Sequence, residues 1–412
     1  MNTPVHDFLE SYAASNPERC HMPGNKGVSH PFDITEIAGA VEIIGESERN
    51  AAELFGAKRT LYSCSGATLA VFAMLSFCAN RRVTAFRNSH RSLIDAAVLL
   101  GFEIDWVYPQ DDLNVRVNRE TAAVFVTNID CYGQTRDIKA IFEVCREKNV
   151  PLLADNAHGA YLVFTDAHPL KLGAYMTADS AHKTLPALTG AAYLHISNGA
   201  DARRAEFAEK GFALFGTSSP SYLILDSLDL CNIHIFDEKK RAETAFKAVA
   251  SLKAELTGFG YSLAKTDALR VTVDANAYGY TGGDFSKALE NRGVICEMFD
   301  DRRVVLLFST VTEEKNALRV LTAMRGVPQK NAIVPDGEPA VISRAVMPPR
   351  EAFFSRAKKV PLSEAAGRVC GEIIAPAPPG VPLVAPGETV TDETVELLKK
   401  HGIYGLKLVD QH

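Results

Sequence analysis

At 412 residues, 47% hydrophobic and 23% charged with a formal charge of -6, the chain has the composition of a soluble globular protein with room for two or three domains. No long basic run offers a nucleic-acid groove or a membrane anchor, and no apolar stretch approaches the roughly 18 residues that cross a bilayer. The opening MNTPVHDFLESYAA has neither a basic leader nor an apolar signal core, so a cytosolic protein with small polar partners is expected. The eight cysteines (Cys20, Cys64, Cys78, Cys131, Cys145, Cys231, Cys296, Cys370) contain no C-x-x-C pair. They read as small buried hydrophobes rather than a metal cage or a disulfide framework, and no metal is expected.

From about residue 60 to 200, short apolar runs alternate with helical patterns. A helix is predicted over 67–79 after SCSG, a strand at RVTAF (82–86), a helix over 90–100, a strand at AAVFVT (122–127) and a helix over 137–148. Strands follow at VPLLAD (150–155) and AAYLHI (191–196). Continuous apolar strands separated by helices predict a mainly parallel sheet covered on both faces, an α/β fold. A smaller α/β region is predicted over about 237–325, from a charged helix at 237–256 and strands at RVTVDA (270–275) and RVVLLFS (303–309). RGVPQKNAIVPDGEPA then reads as a connector rich in turn formers. A C-terminal module carries APAPPGVPLVAPGE, either an exposed polyproline linker or, from its Val and Leu, a packed segment.

Four features in the first region carry chemistry. SCSGATLAVFAML runs a glycine turn into a helix, where free N–H groups attract phosphate or an ordinary cap closes the turn. His90 follows a strand at a helix entrance, placed to stack on an aromatic ring, to move protons or simply to begin the helix. Asp155 ends VPLLAD, where ligands of parallel sheets collect, and fits equally a turn cap. Lys183 lies in DSAHKTLPALTG, among small and hydroxyl residues. A lone lysine there would be a solvated loop residue. Together, a phosphate cradle, a stacking ring, an acid and a later lysine are what pyridoxal phosphate demands: the lysine binds the cofactor covalently and the carboxylate keeps the pyridine nitrogen protonated. Ser180 and His182 can add phosphate donors.

These motifs resemble those of the ornithine/lysine/arginine decarboxylase family, pyridoxal-phosphate enzymes of the aspartate-aminotransferase fold. HMPGNKG (21–27) is similar to that family's H-x-P-G-H-K-x-G start, FDITEI (32–37) to its D-I-T-E segment and NSHRSLIDA to its N-x-H-K-S element. DNAHGAY is similar to D-E-A-H-G, SAHKTLPALTGAAYLH to S-x-H-K-T-L-P-A-L-T-Q, and PREAFF (349–354) with PAPPGVPLVAPGE (376–388) to the family's C-terminal domain. The resemblance implies a fold-type I large domain with a mainly parallel seven-stranded sheet. It divides the chain into an N-terminal segment 1–35, a cofactor-binding domain 36–235, a small α/β domain 236–326 and a C-terminal domain 327–412. It implies that Lys183 holds the cofactor, Asp155 pairs with its ring nitrogen, His90 stacks on the ring and His158 sits near the reacting atoms. Gly66, Ala67, Thr68, Ser180 and His182 would surround the phosphate. Thr217 and Ser218 in TSSPSY would reach the site from beside the phosphate in a homodimer with shared sites.

Three positions depart from the pattern: Ala67 replaces a hydroxyl, Asn25 a histidine and Asn156 the glutamate of D-E-A-H. A short form without the family's N-terminal receiver-like domain is expected, and with it no large rings of dimers. The activity implied is decarboxylation of arginine, lysine or ornithine, with Lys183 or His158 returning a proton to Cα. The alternatives are another fold-type I reaction, an aminotransferase or carbon–carbon lyase, or a cofactor-binding protein with little turnover. Glu351 and Glu388 are candidates for reading the substrate's basic end.

Overall fold

The structure, a computed structural model, describes residues 1–34, 40–334, 344–376 and 380–410. Thr35, Glu36 and Ile37 of FDITEI and Ala377, Pro378 and Pro379 of the proline-rich segment lie outside them.

Seven strands form one sheet: β1 (Arg59–Ser63), β2 (Arg82–Phe86), β3 (Glu103–Val107), β4 (Thr121–Thr127), β5 (Leu152–Asp155), β6 (Met176–Asp179) and β7 (Ala192–Ile196), in the order β1-β7-β6-β5-β4-β2-β3. The sheet is mostly parallel. β2 pairs in parallel with β3 and with β4, through helix Ser92–Leu100 and the segment after β3. β7 runs antiparallel to both β6 and β1. The reason is the length of chain available: Ser180–Ala191 holds only the four-residue helix Ala181–Thr184, too little for the crossover that a parallel neighbour needs. The predicted helices appear as Gly66–Leu75, Ser92–Leu100 and Ile138–Glu147. β1, β3 and β6 are strands that the hydrophobic pattern did not mark.

The chain divides into two compact units. The first comprises Met1–Met74, Asn128–Lys139 and Ala154–Ile333; the second comprises Leu75–Thr127, Ala140–Leu153 and Val334–His412. In the first unit, Val5 and Leu9 of helix Pro4–Ala14 pack with Phe55, Tyr193 and Tyr222 in one core. A second core fills the space between a small antiparallel sheet and its helices. The strands are β8 (Arg270–Asp274), β9 (Met298–Phe299) and β10 (Arg303–Leu307), in the order β8-β10-β9. Val249, Leu252 and Leu256 of helix Lys239–Phe259 meet Val271, Val273, Tyr261 and Phe285 there. That helix stops at Gly260, whose φ of +106° favours glycine.

In the second unit, β11 (Ala357–Pro361) pairs antiparallel with β12 (Gly405–Val409), and Leu398 of helix Asp392–Lys400 packs with Leu406 and Leu408. Arg350, at the start of helix Pro349–Phe354, donates to the Leu99 carbonyl (2.7 Å) at the end of helix Ser92–Leu100. The proline-rich segment is packed rather than free: Val384 is fully buried, and Arg87 donates to the carbonyls of Pro382 (2.7 Å) and Leu383 (3.2 Å).

Candidate active site

β5 delivers Asp155 to its carboxyl end, where the side chain is buried and the backbone carbonyl accepts from Asn128 N–H. The next turn is tight. Asn156 O accepts from Gly159 N–H, and a Cβ on Gly159 would fall 2.0 Å from Asn156 Oδ1, so only glycine fits beneath that amide. The turn presents His158 to Lys183, with His158 Nε2 3.0 Å from the amine Nζ. Lys183 reaches this point from the short helix after β6, whose first residue follows Ser180. Burial holds the amine below its ordinary lysine pKa; the negative charge of Asp155 opposes this, the Arg270 guanidinium adds to it, and Glu297 and Cys131 oppose it. A lowered pKa raises the share of amine that carries a free lone pair, which is what a nucleophilic lysine needs.

His158 does not stand alone. Its Nδ1 accepts from Arg270 Nη2, at the first residue of β8. Arg270 is the largest fully buried side chain among the described residues, and its Nη1 donates to Asp267 Oδ2 at 2.7 Å. Asp267 Oδ1 in turn accepts from Tyr161 OH (3.1 Å) and Leu269 N–H (2.8 Å), and its backbone carbonyl accepts from Lys253 Nζ (2.5 Å). Gly133 closes over the pair: its φ is +85°, and a Cβ would meet Asp267 Oδ2 at 2.8 Å and Arg270 Cδ at 2.9 Å. Arg270, Asp267 and Tyr161 escaped the sequence reading because RVTVDA looks like any core strand and the partners lie some hundred residues apart.

The glycine turn and the lysine segment share an anchor. Gly66 N–H donates to Gly190 O (2.8 Å), and His182 donates to Ala191 O through its N–H (3.3 Å) and its Nδ1 (3.0 Å). Gly66 has φ +69°, and a Cβ there would meet no atom within 4 Å. Ala67 is buried, whereas Thr68 is exposed on the first turn of helix Gly66–Leu75. Ser180 is buried and its hydroxyl caps no N–H of the short helix. Thr217 and Ser218 are exposed; Thr217 Oγ1 accepts from Ser219 N–H in a local turn, while Ser221 holds the N-cap position of helix Tyr222–Asp237. The same segment touches the glycine turn, where Cys64 Sγ donates to Ser221 O.

His90 belongs to the second unit. It is exposed, its Nδ1 lies 3.0 Å from Ser92 Oγ, and its ring lies against Gly380: a Cβ at 380 would sit 2.8 Å from Cδ2. Glu388, one candidate substrate reader, is buried and engaged: Oε2 takes Arg87 Nη2 (3.3 Å) and Ala385 N–H (2.8 Å). Glu351 is exposed on the first turn of its helix.

The departures find local partners. Asn25 Oδ1 accepts from Gly27 N–H (2.7 Å) and its amide donates to Asp33, so this residue closes its own turn. Asn156 Nδ2 donates to Asp179 Oδ2 at 2.6 Å, and Asn156 Oδ1 accepts from Asn128 Nδ2 at 2.8 Å. A buried carboxylate is therefore present beneath the site, supplied by β6 rather than by position 156. His168 Nε2 lies 3.0 Å from the same oxygen. Burial works to raise Asp179, but its pairing and hydrogen bond with His168 outweigh it and hold the carboxyl below the ordinary range.

The donor set fits pyridoxal phosphate: a half-buried amine of lowered pKa, a buried carboxylate at a strand end, a glycine turn opening a helix, and the buried Ser180 hydroxyl. The fold agrees. Lysine decarboxylase LdcF of Francisella novicida superimposes with a TM-score of 0.79 at 15% identity, covering 99% of this chain and 81% of that one. The ureidoglycine-glyoxylate aminotransferase of Bacillus subtilis does so at 0.59 over 71% of this chain and 86% of that one, at 14% identity. The seven-stranded sheet and the small domain give the chain the type I fold of these enzymes.

Sequence relatives narrow the class. The family models for the Orn/Lys/Arg decarboxylase major domain and C-terminal domain match residues 114–273 and 339–400. The uncharacterized protein YaaO of Bacillus subtilis is 30% identical, covering 97% of this chain and 94% of that protein, and an arginine decarboxylase of the same organism is 26% identical over 98% and 94%. The chain belongs to the Orn/Lys/Arg decarboxylase family, whose members are pyridoxal-phosphate-dependent amino acid decarboxylases.

Proposed function

We propose that this chain decarboxylates a basic amino acid, with pyridoxal phosphate held on Lys183. The observation that carries the reading is Lys183 itself: half-buried, depressed in pKa, 3.0 Å from His158 and within the field of Asp155. Arginine decarboxylases among its relatives put arginine first, with lysine and ornithine as the alternatives. The match of residues 339–400 to the family's C-terminal domain favours decarboxylation over the transamination done by proteins of similar fold.

When bound, the cofactor supplies an electron-withdrawing ring that takes up the electrons released with carbon dioxide. Asp155 would hold the proton on the ring nitrogen. Gly66, Ala67, Thr68, Ser180 and His182 would bind the phosphate, and His90 would stack on the ring. Lys183 or His158 would return a proton to Cα. Thr217 and Ser218 would reach the phosphate of a second copy in a homodimer.

The test incubates purified protein and pyridoxal phosphate with arginine, lysine and ornithine in turn, and identifies the amine and carbon dioxide released. Borohydride followed by peptide mapping should place the cofactor on Lys183. A label on another lysine, no cofactor uptake, or no amine from any of the three would overturn the reading.

A further inference from the structure

A guanidinium carries only donors, so the imidazole nitrogen facing it must offer a lone pair. Arg270 Nη2 faces His158 Nδ1, and Arg270 cannot turn away: it is fully buried, Asp267 holds its Nη1, Gly133 covers it and Tyr161 fixes the far side of Asp267. A proton on Nδ1 would set N–H against N–H, and a fully protonated ring would add a second cation beside a fully buried guanidinium. We infer that Arg270 is a positioning residue that confines the His158 proton to Nε2, so that His158 stays a neutral N–H donor toward Lys183 and the amine keeps its lone pair. The inference rests on the proposed role of Lys183 for its meaning in catalysis, but the proton placement stands by itself. Proton count along the line leaves no alternative: Nε2 can donate only to an uncharged amine, since an ammonium has no acceptor. The charged and titratable groups that bear on Lys183 are Asp155, Arg270, Glu297 and Cys131, besides His158. Arg270 is the one cation among the four, and its effect reaches the amine through the imidazole as well as through space.

The tautomer is read on cofactor-free protein, by long-range proton–nitrogen correlation of the imidazoles, with His158 assigned by comparison with His158→Gln. Native protein should show the Nε2-protonated neutral ring from pH 6 to 9. Arg270→Lys, which also only donates, should preserve it. Arg270→Met combined with Asp267→Asn, which leaves no unpaired carboxylate buried, should give mixed tautomers and a protonated ring at pH 6. In that double variant, capture of pyridoxal phosphate at pH 7, followed by absorbance and borohydride trapping, should be at least tenfold slower and recover as pH rises. An imidazolium or an Nδ1-protonated ring in the native protein overturns the inference, as does a double variant with the native tautomer. If the double variant does not fold, the native and Arg270→Lys spectra decide. The expected tautomers in a protein that releases no amine would remove the proposed activity and leave the positioning role standing.

Discussion

The amide of Asn156 donates across 2.6 Å to the carboxylate of Asp179, tying the turn after β5 to the end of β6. Both side chains are fully buried, so the pair holds a single negative charge with His168 beside it. Asn156→Asp would place two carboxylates against each other without water, a loss on the order of 3–5 kcal/mol. Adding Asp179→Asn should recover most of it, because the charge then sits on the other residue. Denaturant unfolding of the two single variants and the double variant measures the coupling; additive losses would remove the pairing.

His195 gives the stability a direction in pH. Complete burial drives its pKa from 6.5 down to about 3, with Asp179 pulling it up and His168 pushing it further down. The ring is neutral in the fold and takes a proton in the unfolded chain, so the stability it confers is whole above pH 6.5 and declines as pH falls toward 3. The full difference amounts to roughly 5 kcal/mol. Asp179, with its lowered pKa, adds loss in the same direction at the acid end. His195→Phe, which keeps the stack on Phe55, should flatten the fall in denaturation midpoint between pH 6.5 and 4 by about one proton.

Asp155→Asn tests the proposed chemistry. The variant should still bind pyridoxal phosphate on Lys183, while amine release slows by at least two orders of magnitude, since removing a charge that stabilises the transition state costs roughly 3 kcal/mol or more. An unchanged rate would take Asp155 out of the site.

Gly380 should tolerate no side chain. A Cβ there would lie 2.8 and 2.9 Å from His90 ring atoms, and the backbone sits at φ +72°. Gly380→Ala should lower stability by roughly 1–2 kcal/mol from the backbone alone, and more from displacing the ring. His90→Ala should relieve only the second part. A Gly380→Ala protein as stable as the parent would contradict the packing.

Mixed dimers test the proposed sharing of sites. A Lys183→Ala chain combined with a Thr217→Ala, Ser218→Ala chain yields hybrids in which one site carries both defects and the other carries neither. Amine release should appear in the mixture and in neither parent; an inactive mixture would keep each site within one chain.

The apolar strands β2, β4, β5 and β7 could be read because burial on both faces left continuous hydrophobic runs. β1 (RTLYS) and β3 (EIDWV) lie at the sheet edges and mix polar with apolar residues, and β6 (MTAD) is only four residues long, so none produced a pattern. Among the candidate site residues, Lys183, His158 and Asp155 stand in local motifs that single them out. Arg270 did not: a buried arginine at the start of a strand has no local signature, and its meaning comes from Asp267 and His158, a contact made only by folding. Asp179 stood four residues before the lysine, yet nothing in DSAHK shows that its carboxylate answers the asparagine at 156.

Gly190 and Ala191 hold the glycine turn with one carbonyl and the lysine segment with the next. The two halves of the proposed cofactor pocket are thus mounted on a single bracket, and their spacing is a property of one peptide unit rather than of the sheet as a whole. Residues 185–189, between lysine and bracket, are held by contacts of their own: Leu185 is buried in the core with Tyr222, and Leu188 N–H donates to Ser227 Oγ (3.1 Å). An insertion between 190 and 191 would move phosphate turn and lysine apart, costing cofactor affinity while leaving every named side chain in the sequence.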